Sequence, residues 1–82
     1  MSKIDASKKD MLVKLLERFK ISTDTAGVRK ATGVPWSVAF EVRWILQFGE
    51  YKIEDDVDKL VEVLIKHAID NNDDDLQSWL GI

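Results

Sequence analysis

The segment from Pro35 to Tyr51 is apolar on two opposite faces when wound as a helix, and few arrangements can accommodate such a segment. At about 100° per residue, Val38, Ala39, Val42, Ile45 and Leu46 gather on one side, and Trp36, Phe40, Trp44, Phe48 and Tyr51 on the other. Polar residues are confined to two edges, with Arg43, Gln47 and Glu50 along one and Ser37 and Glu41 along the other. A helix of this kind is either buried nearly all round or offers one face to a partner.

The flanking sequence supplies helices to cover it. Met11, Leu12, Leu15, Leu16 and Phe19 repeat at helical spacing after a cap formed by Ser7 with Asp10, which predicts a first helix over about 8–20. A short second helix is expected over roughly 24–31, capped by Ser22 or Thr23 and ended by Gly33. Pro35 suits a first helical turn because its missing N–H costs nothing there, so the third helix begins near Pro35 or Ser37 and runs to about Phe48, before Gly49. Glu54, Asp55 and Asp56 favour a new N-terminus, and Val57, Leu60, Val61, Leu64, Ile65, Ala68 and Ile69 then trace a continuous i, i+3, i+4 stripe. Asn71 and Asn72 close that helix, and the run Asp73 to Asp75 caps a last short turn bearing Leu76, Trp79 and Leu80. The expectation is a single all-α domain over 1–82, a small bundle of four to five helices, with 1–7 and 71–82 as its mobile ends. The stripes of the first and fourth helices should pack on the aliphatic side of the third.

Eighty-two residues leave room for one small domain, and a chain of this length buries only roughly 60% of the surface it exposes when unfolded. Association therefore has much to contribute to its stability. There is no cysteine, so disulfides and thiolate metal sites are excluded, and an intracellular, cytoplasmic setting is expected. No apolar run approaches a signal-peptide core or the roughly 20 residues of a membrane span. The net charge of −3 is unevenly spread: residues 1–52 carry ten Lys and Arg against six acids, residues 53–82 two against nine. A basic nucleic-acid surface, a head-to-tail self-contact, or two differently solvated faces would each produce that asymmetry.

The stretch from Ala26 to Val42 resembles the helix-turn-helix unit of bacterial regulators. Gly33 stands at the turn glycine, Val34 at the buried turn residue, and Val28, Ala39 and Val42 where the two helices of that family pack together. Arg29 departs from the pattern, since the family has a small residue at that close approach. The resemblance implies that Trp36, Ser37, Phe40 and Glu41 face outward from the recognition helix, and makes Arg29, Lys30, Ser37 and Arg43 the candidate DNA contacts of a transcriptional regulator. Base reading calls for Arg, Lys, Asn or Gln, and two aromatics and a carboxylate are poor tools in a negatively charged groove. Trp36, Phe40, Trp44 and Tyr51 are instead the candidate anchors for a protein partner, either a second copy or a foreign chain. Burial of the same rings as core, under the second helix or the terminal Trp79 segment, is the competing structural reading.

The last six residues, Gln77-Ser78-Trp79-Leu80-Gly81-Ile82, resemble the short motif by which bacterial polymerases and repair factors dock on the sliding clamp. Gln77, Leu80 and Ile82 match it; Ser78 stands where leucine is frequent, and the final residue is isoleucine. His67 lies beside the stripe of the fourth helix and reads as a solvated residue. One imidazole with Asp70 as its only neighbouring ligand does not make a zinc site, and Asp73 to Asp75 lacks the spacing of a calcium loop. No phosphate loop and no nucleophile–base set can be assembled, so neither catalysis nor a cofactor is expected. The function expected is that of a small regulatory or adaptor protein, of the kind a phage or mobile element uses to inhibit or redirect a host protein.

Overall fold

The computed structural model describes residues 4–82 and is all-α, with α1 (Ala6–Phe19), α2 (Thr25–Thr32), α3 (Trp36–Gln47), α4 (Val57–Asp70) and α5 (Asp74–Leu80). α3 runs through the middle of the molecule. Its aliphatic side, Val38, Ala39, Val42 and Ile45, is fully buried, and α2, α4 and α5 pack around it. α1 contributes Leu12, Leu15, Leu16 and Phe19 to the same core but leans chiefly on α2 and α4 rather than on α3. The stripe of α4 enters through Leu60, Val61, Leu64 and Ala68.

Side-chain chemistry fixes the helix ends. α1 starts two residues before the expected position because Asp5, not Ser7, is its cap: the Asp5 carboxylate accepts the backbone N–H of Lys8, and Ser7 merely donates its hydroxyl to that carboxylate. A charged acceptor at an N-terminus also meets the positive end of the helix dipole. In α2 the cap position falls on Asp24, and the Ser22 hydroxyl accepts the Asp24 backbone N–H in the preceding turn. Asp56 accepts from Asp58 N–H to open α4, and Asp73 accepts from Leu76 N–H to open α5.

The chain ends receive a different account from the one expected. Residues 1–3 of the 1–7 segment lie outside the described residues; Ile4 is buried and Asp5 is the α1 cap. Within 71–82, α5 places Leu76 and Leu80 fully in the core, and the Gln77 side-chain amide donates to the Ala68 carbonyl of α4. The acidic run caps this turn as its sequence predicts, with Asp73 as the cap and Asp74 and Asp75 in the first turn, but the turn is packed into the domain rather than a mobile end. Among the described residues no helix is long and apolar enough to cross a membrane.

Candidate docking surface on the third helix

Gly33 ends α2 in the left-handed region at φ 77, and Pro35 starts α3, so the direction of α3 is set by a three-residue turn pinned from within by fully buried Val34. With the aliphatic side of α3 in the core, no helix among the described residues covers the opposite side. Trp36 is 42% exposed, Phe40 49%, Trp44 52% and Phe48 66%. Their i, i+4 spacing makes the rings neighbours along one line: Trp36 stacks on Phe40 with centroids 5.0 Å apart, and Trp44 on Phe48 at 4.8 Å with nearly parallel planes. Stacking hides part of each ring and leaves the outward faces to solvent.

Tyr51 does not belong to this strip. The helix stops at Gln47, Gly49 turns the chain at φ 79, and Tyr51 folds inward to 1% exposure with its hydroxyl donating to the Asp55 carbonyl at 2.6 Å. Burial raises the phenol pKa above its usual 10.0, and the carboxylates of Asp55, Asp56 and Glu54 push in the same direction. The exposed ring at the C-terminal end of the strip is Phe48, one helical turn short of where a continued helix would have placed Tyr51.

The rims of the strip carry opposite charge. Towards α1 and α2, the Arg29 guanidinium lies 5.3 Å from the Trp36 ring and donates through Nε to the Val34 carbonyl, and Arg43 lies 5.9 Å from the Phe19 ring. Towards α4 stand Glu41 and Glu50, and at the N-terminal end Asp75 joins Pro35, Trp36, Ser37, Ser78 and Trp79 around an open cleft of about 350 Å³. No family model, curated protein or solved structure matches this chain.

Of the candidate DNA contacts, then, Arg29 and Arg43 lie over aromatic rings, Ser37 lines a cleft shared with a carboxylate, and Lys30 is exposed on α2. Of the three clamp-motif residues, Leu80 is fully buried, Gln77 is bonded to α4, and Ile82 is partly exposed. Presenting Leu80 to a clamp would require α5 to leave the core.

His67 is not a solvated residue of α4. Its Nδ1 lies 2.8 Å from the Glu41 carboxylate and its Nε2 2.9 Å from that of Glu50, so the ring ties α4 to α3 and to the turn after it. Only the imidazolium has an N–H on both nitrogens, and the neutral ring must give up one of the two contacts. Burial disfavours the charged ring, but the hydrogen bonds and charges of Glu50 and Glu41 outweigh it, and the pKa is raised above 6.5. A pKa raised by folding means that the clasp stabilises fully below the unfolded value of 6.5 and is lost as pH rises through the higher folded value. The urea midpoint should therefore fall as pH rises above 6.5, by a modest amount given the part-exposed carboxylates, and His67→Ala should abolish that slope.

Proposed function

We propose that this chain is a non-enzymatic regulatory or adaptor protein of the cytoplasm that binds another protein through the strip Trp36, Phe40, Trp44 and Phe48. The observation that carries this reading is the half-exposure of four contiguous rings on a helix whose other side is locked in the core. Four rings of roughly 200 Å² each, half exposed, offer about 400 Å² of apolar surface, within the size at which patches on monomers are often functional. At about 25 cal/mol per Å², covering it yields roughly 10 kcal/mol, comparable with the about 4–15 kcal/mol that association costs. The rings can thus decide binding, with the charged rims setting orientation and choice of partner. A small acidic protein with such a surface suits a phage or mobile-element factor that inhibits or redirects a host protein. The strip favours a protein over duplex DNA, because the rings occupy the positions from which bases would be read and Arg29 is held by the Trp36 ring and the Val34 carbonyl.

The test is Phe40→Glu. The new carboxylate stays hydrated at a half-exposed position, so the domain should lose only about 1 kcal/mol of stability, mainly the stacking on Trp36. Affinity for a protein recovered from the native host with the unaltered chain should fall at least about 30-fold, the size of a central hot spot. Unfolding of the variant, or unchanged binding by a folded one, overturns the reading.

A further inference from the structure

We propose that, when the protein is alone, the strip is covered by the strip of a second copy, the two related by a two-fold axis running parallel to the line of rings. This rests on the reading of the strip as a protein-docking surface and names its resident partner.

The charge of the rims selects the arrangement. Arg43 and Glu41 lie about 80° on either side of the midline of the rings, one on the α1 and α2 side and the other on the α4 side. A surface with a cationic border on one side and an anionic border on the other is matched by its own copy only when left and right exchange. A two-fold along the strip does this, setting Arg43 of each copy towards Glu41 of the other. A two-fold across the strip, which would run the two helices antiparallel, places cation on cation and acid on acid.

The shape of α3 agrees with the same axis. Trp36, Phe40, Trp44 and Phe48 form one continuous i+4 ridge, inclined by about 26° to the helix axis. Rotation about a line parallel to that ridge crosses the two helices at about 50°, the commonest way in which such ridges pack into facing grooves. The area is also sufficient. The rings supply about 400 Å² of the about 800 Å² per partner of a standard interface, and Ser37, Glu41, Arg43 and Gln47 border them to supply the polar remainder.

Sedimentation velocity on the full chain decides the matter. The expected result is a species of twice 9.4 kDa that dissociates on dilution from about 100 µM to about 1 µM, with a blue-shifted tryptophan emission in the dimer. Arg43→Glu should weaken self-association at least about tenfold, Glu41→Lys likewise, and an equimolar mixture of the two should recover it at low salt. Because Glu41→Lys also releases His67, helical content is checked by circular dichroism, and if that variant unfolds, Arg43→Glu and Phe40→Glu alone carry the test. A monomer throughout the concentration range, or a dimer indifferent to Arg43→Glu and Phe40→Glu, overturns the proposal. A monomer that still binds a host protein through Phe40 sinks the second copy and spares the adaptor reading. A dimer through the strip that takes up no foreign protein does the reverse.

Discussion

Deleting residues 77–82 is expected to unfold the domain under conditions in which the intact chain is folded. The deletion removes Leu80, which is fully buried, and a buried leucine cut to alanine alone costs about 2–5 kcal/mol. It also removes half-buried Trp79, whose ring and carbonyl both meet Lys8 of α1, and leaves the Ala68 carbonyl without the Gln77 amide. The remaining Asp74, Asp75 and Leu76 are too few to hold a helical turn, so Leu76 leaves the core as well. The combined loss is at least about 5 kcal/mol, within the whole stability of a domain of this size. Far-UV circular dichroism and a thermal melt measure it. Had these residues formed a dispensable peptide for a sliding clamp, the truncated chain would keep its helical content and its Tm within a few degrees, and that result would remove α5 from the core described above.

How much of this was legible in the sequence depends on the distance over which each residue finds its partners. The double face of α3 was readable because it follows from the 3.6-residue period alone, and the stripe of α4 likewise. The aliphatic side had to be the buried one, since α4 and α5 offer aliphatic side chains to pack on it, whereas the ring side met no equivalent. His67 was misread because its partners lie 26 and 17 residues away, and only the packing of α4 beside α3 brings them within reach. The α1 cap was missed by two residues because Asp5 and Ser7 are both good cap formers, and only the backbone shows which one the first turn faces. The cap at Asp73 was readable because Leu76, Trp79 and Leu80 follow it at helical spacing, but the depth to which that turn is buried was not, since Gln77 meets Ala68 and Trp79 meets Lys8 only once the helices pack.

Tyr51 and Trp44 should separate sharply when each is cut to alanine, although both fall on the ring side of a helix drawn straight from Pro35 to Tyr51. Tyr51→Ala is expected to cost about 3–5 kcal/mol, because it empties a site that is 1% exposed and leaves the Asp55 carbonyl without its donor. That loop also carries Glu50, one end of the His67 clasp, and Asp56, the cap of α4, so its release loosens the start of α4 as well as the core. Trp44→Ala removes a side chain that is 52% exposed and whose ring contact is with Phe48, itself on the surface, and should cost about 1 kcal/mol. Urea titrations of the two variants, made at low protein concentration so that association does not contribute, read the difference directly. It arises at Gly49, where positive φ ends the helical projection: on one side of that residue a ring is a surface group free to meet another chain, and two residues later a ring is core. Equal losses at the two positions would mean that the strip is sealed within the monomer and has no surface to offer.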